Sequence, residues 1–199
     1  MVLKLNLIKL TLSNQSKQKS FMLNEEQVIT NIQRGIDVDK GFRFLVNTYK
    51  ERVYWHVRGV VGTHEDASDV LQNTFIKAYR NINKFNADSK FYTWMYRIAT
   101  NESINYLKKN KKYRNDDGEM TLINTVADVY FDGDEAQQIL KVAIEKLPHK
   151  QRIVFNMKYF DEMTYDEISE ILETSVGALK ASFHHAKNKI EAFVKQQSL

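Results

Sequence analysis

The sequence predicts an all-α chain: two small helical domains joined by a flexible acidic linker, the second a helix-turn-helix domain. Three observations carry this prediction. Only seven glycines and one proline occur in 199 residues, which argues for long helices and few tight turns. Apolar residues recur at helical spacing through most of the chain. Between two such stretches, residues 115–138 contain no basic residue, while Asp116, Asp117, Glu119, Asp128, Asp132, Asp134 and Glu135 are acidic.

Composition narrows the function classes. Hydrophobic content of 43% and charged content of 27% fit a globular protein. A net charge of +4 permits a nucleic-acid partner without demanding one, since 25 acidic residues nearly balance 29 basic ones. The absence of cysteine excludes disulfides, a thiol nucleophile and a zinc finger, and suits the cytoplasm. No apolar run approaches the length of a membrane span.

The elements follow in order. Residues 1–12, MVLKLNLIKLTL, alternate apolar and polar, and Lys4 and Lys9 interrupt any secretory-signal core. A polar stretch from Ser13 to Ser20 follows. Met22 offers an alternative start, which makes 1–21 an extension. Helices are expected over Glu25–Arg34 and Lys40–Val61. The Gly62-Thr63-His64 break, with Thr63 and Asp66 as start signals, begins another that runs to about Phe85. On it, Val70, Leu71, Phe75, Ala78, Tyr79 and Ile82 make a core face. Asp66, Asp69, Gln72, Asn73, Ile76 and Arg80 face the other way. An apolar Ile76 rimmed by polar residues is how a partner-binding helix is built.

The polar loop Asn86-Ala87-Asp88-Ser89-Lys90 leads into an aromatic helix from Phe91 to about Lys111. Phe91, Trp94, Met95, Ile98 and Ala99 are expected to face the core. Tyr92 and Tyr96 lie towards the edge or beyond, and Arg97, Asn101, Asn105 and Lys108 line another side. Aromatic rings beside Arg, Asn and Lys suit single-stranded nucleic acid, whose bases stack on rings while cations follow the backbone. Small polar groups at Asn86, Asp88, Ser89 and Lys90 can hydrogen-bond an unstacked base.

A basic cluster at Lys108, Lys109, Lys111, Lys112 and Arg114 precedes the acidic linker, 114–134. Helical pattern resumes near Glu135. Leu147-Pro148 makes a corner, and Pro148 starts a helix that ends near Phe160. Thr164 and Glu167 form a capping box for a short helix from Tyr165. Its apolar stripe, Ile168, Ile171 and Leu172, breaks at Glu173-Thr174-Ser175. Thr174 or Ser175 then caps a last helix whose inner side is Val176, Leu179, Phe183, Ala186 and Ile190. Thr174, Ala178, Ala181, His185 and Asn188 fall opposite, with Ser182 and His184 beside them. Lys180 and Lys187 flank the apolar stripe, where their stems can pack and their ammonium groups can reach phosphates. This is the shape of a helix-turn-helix, which sets one helix in the major groove of DNA.

These parts, in this order, resemble a bacterial sigma factor of the extracytoplasmic-function group of the sigma-seventy family, over roughly Gly41–Lys112 and Glu135–Phe193. EDASDVLQNTFIKAYRNINKF looks like the family's polymerase-clamp-binding helix, and FYTWMYRIATNESINYL like its promoter-melting and minus-ten-reading segment. IEKLPHKQRIVFNMKYFDEMTYDEISEILETSVGALKASFHHAKNKI is similar to its minus-thirty-five-reading domain. The resemblance implies a protein that does no chemistry, needs no cofactor or small-molecule substrate, and works in the cytoplasm. Its implied partners are core RNA polymerase, promoter DNA and an anti-sigma factor. Core polymerase would be bound through Asp66, Asp69, Gln72, Asn73, Ile76 and Arg80. The minus-ten strand would meet Asn86, Asp88, Ser89, Lys90, Tyr92, Tyr96, Arg97, Asn101, Asn105 and Lys108. The upstream element would meet Thr174, Ser175, Ala178, Lys180, Ala181, Ser182, His184, His185, Lys187 and Asn188. The implied domains are 22–113, a linker at 114–134 that threads into the polymerase channel, and 135–199. Glu173 stands where many relatives place a turn glycine, Asn73 where an acidic residue is common, and Ala178, Ser182 and His185 where Thr or Arg often contacts DNA.

Two rivals are distinguishable. A stand-alone helix-turn-helix regulator would bind promoters without polymerase, and leaves Ile76 and the basic-to-acidic switch unexplained. A metal hydrolase using His184, His185 and Glu191 fails on geometry, because adjacent helical residues point about a hundred degrees apart.

Overall fold

The computed structural model describes residues 25–113 and 135–197; the N-terminal extension, the proposed acidic linker and the last two residues lie outside them. Every regular element among the described residues is a helix, in the order the sequence predicts. Helical backbone over 25–33 is α1. It is followed by α2 (Val38–Val61), α3 (His64–Asn81) and α4 (Phe91–Tyr113). The second half holds α5 (Glu135–Glu145), α6 (His149–Tyr159), α7 (Tyr165–Leu172) and α8 (Val176–Gln197).

Local signals account for the boundaries. Gly62, at φ 97°, ends α2 in a backbone conformation that other residues rarely adopt, and its N–H bonds the Arg58 carbonyl. Thr63 caps α3 by accepting the Asp66 N–H at 3.1 Å. α3 stops sooner than expected: after Asn81 the chain tightens into a 3-10 turn at Ile82–Lys84, which still buries Ile82. Pro148 sits at the cap of α6 rather than inside it. Thr164 and Glu167 make the expected reciprocal capping box on α7.

The turn between α7 and α8 manages without glycine at a conformational cost. Glu173 takes φ 52°, ψ 41°, the left-handed region that disfavours a side chain. Ser175 then accepts the Ala178 N–H at 3.4 Å. Glu173→Gly is therefore expected to stabilise the protein by about 0.5–1 kcal/mol, the relief of left-handed strain less the added chain entropy of glycine. Thermal unfolding of the two proteins side by side checks it.

α2, α3 and α4 form the first helical unit; α5, α6, α7 and α8 form the second. Ala143, Ile144, Leu147, Phe155, Ala186 and Ile190 make a separate apolar cluster in the second unit. The larger cluster is continuous across both. Val53, Val57 and Val60 of α2 belong to one buried set with Met157 of α6, Met163, and Ile168 and Ile171 of α7. α6 packs on α2 and α7 on α4. No helix among the described residues is long and apolar enough to cross a membrane.

Candidate nucleic-acid interface

α3 presents the predicted outward face. Asp69, Gln72, Asn73, Ile76 and Arg80 are exposed, with Ile76 at 40%. Asp66 is half-buried, because its carboxylate accepts the Tyr106 hydroxyl. Gln72, Ile76 and Arg80 form one edge of an open apolar groove between α2 and α3, together with Phe42, Val46, Leu71, Phe75 and Tyr79. Asp66, Asp69 and Asn73 do not line it. Tyr79 corrects the expected core face: it is 45% exposed, because the groove stays open there and its neighbour is the Phe42 ring, met edge-on at 4.9 Å. Phe42 and Val46 escape a reading of α3 alone, since they come from the neighbouring helix.

The loop before α4 keeps Asn86, Asp88 and Lys90 exposed, with Ser89 half-buried. Ala87 sits in the left-handed region at φ 62°, and the Asn86 amide donates to Asp88 across it. Phe91, Met95 and Ala99 are buried as expected, with Trp94 and Ile98 half-buried. Asn101, Asn105 and Lys108 stand exposed along one side of α4.

Tyr96 corrects the expected edge position: it is only 1% exposed. Its hydroxyl donates to Asp161 Oδ1 at 3.2 Å, in the turn between α6 and α7. Burial first, and then the Asp161 carboxylate, push the phenol well above its ordinary range, so it stays a neutral donor. Lys90 Nζ lies 2.9 Å from Glu167 Oε1, and Arg97 Nη2 donates to the Glu170 carbonyl at 2.6 Å. Burial alone would raise the Glu167 carboxyl. Hydrogen bonds from Tyr92, the Thr164 N–H, Lys90 and the Thr164 hydroxyl outweigh it and lower the group to about 2. One carboxylate thus caps α7 and ties it to α4.

On α8 the inner side holds as predicted: Leu179, Ala186 and Ile190 are buried, and Val176 and Phe183 half-buried. Phe183 stacks on Phe155 of α6, ring centres 5.6 Å apart. Outside, Ser175, Ala178, Lys180, Ala181, His184, His185, Lys187 and Asn188 are exposed, with Thr174 and Ser182 half-buried. Thr174 is partly committed, its hydroxyl donating to the Leu172 carbonyl at 3.0 Å. The Asn188 amide meets His184 Nε2 at 3.1 Å. Lys180 lies over the Tyr165 ring, 5.8 Å from its centre, which leaves its ammonium at the rim of the exposed face. Lys187 turns towards Glu191, at 3.5 Å. Among the described residues no group of His, Asp and Glu could hold a metal ion.

A helix-turn-helix with an open outer face, beside a unit carrying an apolar groove and an aromatic helix, defines a DNA-binding protein that also docks on a protein partner. Residues 45–113 match the family model for Sigma-70 region 2, and residues 137–190 match Sigma-70, region 4. The chain is 35% identical over 161 residues to the ECF RNA polymerase sigma factor SigW of Bacillus subtilis, covering 75% of this chain and 86% of that one. It is 31% identical over 185 residues to the ECF RNA polymerase sigma-E factor of Escherichia coli K12, covering 86% and 95%. Its fold is similar to that of the sigma factor RpoE solved with the anti-sigma factor NepR from Bartonella quintana, at TM-score 0.68 and 22% identity, covering 78% of this chain and 98% of that one. It is also similar to that of CnrH solved with the cytosolic domain of CnrY, at TM-score 0.64 and 20% identity, covering 86% and 97%.

The chain belongs to the extracytoplasmic-function group of the sigma-70 family. It is a sigma factor that binds core RNA polymerase and directs promoter-specific initiation of transcription.

Proposed function

We propose a division of labour among named surfaces. The α3 groove edge, with Ile76 at its centre and Gln72 and Arg80 beside it, docks on core polymerase, and Asp66, Asp69 and Asn73 surround the contact. The loop 86–90 and α4, through Tyr92, Arg97, Asn101, Asn105 and Lys108, take up unpaired bases of the minus-ten strand, with the buried Tyr96 supporting that face from within. Unstacking costs a few kcal/mol per flipped base, which stacking and pocket contacts offset. The outer face of α8 reads the upstream element. The proposed units are 22–113, 114–134 and 135–199, with 1–21 an extension and the acidic middle segment threading a positively charged polymerase channel. The chain performs no chemistry of its own and works in the cytoplasm with the polymerase. The similar sigma factor RpoE from Bartonella quintana was solved with the anti-sigma factor NepR, which supports an anti-sigma partner here.

The observation that carries this reading is that Ile76, an apolar residue, stands outward on a polar helix face while the far end of the chain presents an open recognition helix. Permanganate footprinting, which marks unpaired thymines, tests the strand-reading role. With holoenzyme on a promoter, Asn101→Asp is expected to reduce the reactive bubble roughly tenfold, one base contact's worth, while upstream protection persists. An unchanged bubble removes Asn101 from the strand-reading face. The upstream role has its own readout. Lys180→Ala is expected to weaken promoter binding across sequences and to flatten the plot of log affinity against log salt by about 0.9. An unaltered slope takes Lys180 off the phosphates.

A further inference from the structure

We propose that Gln33, at the end of α1, is a positioning residue for the strand-reading loop 86–90, setting the shape in which that loop receives a base. The inference rests on the division of labour above, in which the loop takes up the minus-ten strand, and adds to it a residue from outside the loop. Gln33 is exposed, yet its amide nitrogen makes two hydrogen bonds to backbone. It donates to the Ile82 carbonyl at 2.9 Å and to the Phe85 carbonyl at 2.7 Å. A primary amide has two N–H groups, so both are used. The acceptors lie 49 and 52 positions further along the chain, and they bracket the 3-10 turn that follows α3.

The amide is anchored from behind. Its neighbour Ile32 is 4% exposed, and with Ile29 it fixes α1 to the core. α1 comes close to α2 because Gly41 carries no side chain: a Cβ there would stand 2.8 Å from Ile32 Cγ1. The loop that Gln33 reaches is not in a relaxed conformation. Ala87 sits at φ 62°, where a side chain is disfavoured, and such a residue stays there only when its surroundings impose it.

Gln33 acts on the loop through one peptide plane. The Phe85 carbonyl and the Asn86 N–H belong to the same planar unit, so holding the oxygen aims the first residue of the loop. The Phe85 ring is held separately. It is 9% exposed, with ring centres 5.3 Å from Phe91 and 5.5 Å from Trp94. Phe91 begins α4, so the rings fix the span of the loop while Gln33 fixes the direction in which the chain leaves the 3-10 turn. Carbonyls at a helix end lack intrahelical partners, and without the amide the Phe85 oxygen turns to water, carrying Asn86 with it. Because Gln33 is exposed, its replacement uncovers no core, so the loop relaxes while the fold persists.

The test is the base preference of initiation by holoenzyme assembled from core RNA polymerase and the full-length chain. The templates carry one promoter of this chain, located from the 5′ ends of its transcripts, with each position of the minus-ten and upstream elements randomised in turn. Gln33→Met keeps the length of the side chain and removes the donor. It is expected to flatten the preference at one or more minus-ten positions by about tenfold, one base contact's worth, and to leave the upstream preference unchanged. Gln33→Lys, whose ammonium can donate to both carbonyls, is expected to keep the minus-ten preference. An unaltered minus-ten preference in Gln33→Met overturns the proposal. So does an equal loss at both elements, which a general weakening of the fold would give, and so does the same loss in Gln33→Lys. Asn86→Ala on the same templates separates this proposal from the reading beneath it. If Asn86→Ala flattens the minus-ten preference and Gln33→Met does not, the role of Gln33 alone fails. If neither does, the assignment of the loop to the strand fails first.

Discussion

Ile76→Asp is expected to abolish binding to core RNA polymerase while changing folding stability by no more than about 0.5 kcal/mol. The asymmetry follows from where the side chain sits. At 40% exposure it contributes little to the core, and an exposed helical site tolerates aspartate at a few tenths of a kcal/mol. It also lines the apolar groove with Phe75 and Tyr79. A partner that fills that groove would bury the new carboxylate without a counter-ion, which costs several kcal/mol. Pull-down with core polymerase and thermal unfolding separate the two effects. Retained binding removes Ile76 from the interface, and a collapsed melting temperature makes it part of the core.

Ala181→Glu is expected to cost promoter-specific initiation on the order of 100-fold, with polymerase binding intact, because a like charge pressed against phosphate costs several kcal/mol. Ala181 is exposed on α8, opposite the buried Leu179 and Ala186. In the proposed docking its small size would let the helix approach base edges, and a glutamate there would both fill the gap and repel the backbone. Glutamate is a good helix former, so the fold should persist. Initiation assays on a promoter template, alongside polymerase pull-down, read the two outcomes. Unimpaired initiation would show that this face of α8 does not meet DNA.

Much of this architecture is written locally. The Thr63 and Thr164 caps, the inner stripe of α8 and the outward position of Ile76 each depend on residues within a turn or two, and each stands where periodicity puts it. What depends on distant segments is not legible in that way. Tyr96 reads as an edge residue on α4 alone, and it is buried because Asp161, 65 positions later, comes to it. Tyr79 reads as core, and it is open because α2 offers only the edge of Phe42 at that end. The closure of α6 and α7 on α2 and α4 had one faint signal, a histidine at 56 among Val53, Val57 and Val60. A polar residue in an apolar stripe calls for a partner, but spacing cannot say which one.

Glu173 shows the limit in the other direction. The family resemblance marks it as a missing turn glycine, and the backbone keeps the left-handed turn regardless. Local strain is carried there because the packing of α7 and α8 through Phe183 and Tyr165 holds the turn in place.

The most direct measurement is to sequence the 5′ ends of transcripts made in vitro by core RNA polymerase with and without this chain, on fragmented genomic DNA. A sigma factor predicts a discrete set of start sites that depends on the added protein, each preceded by two shared sequence elements at fixed spacing. Start sites identical with and without the protein, or protein-dependent sites sharing no upstream elements, would contradict it.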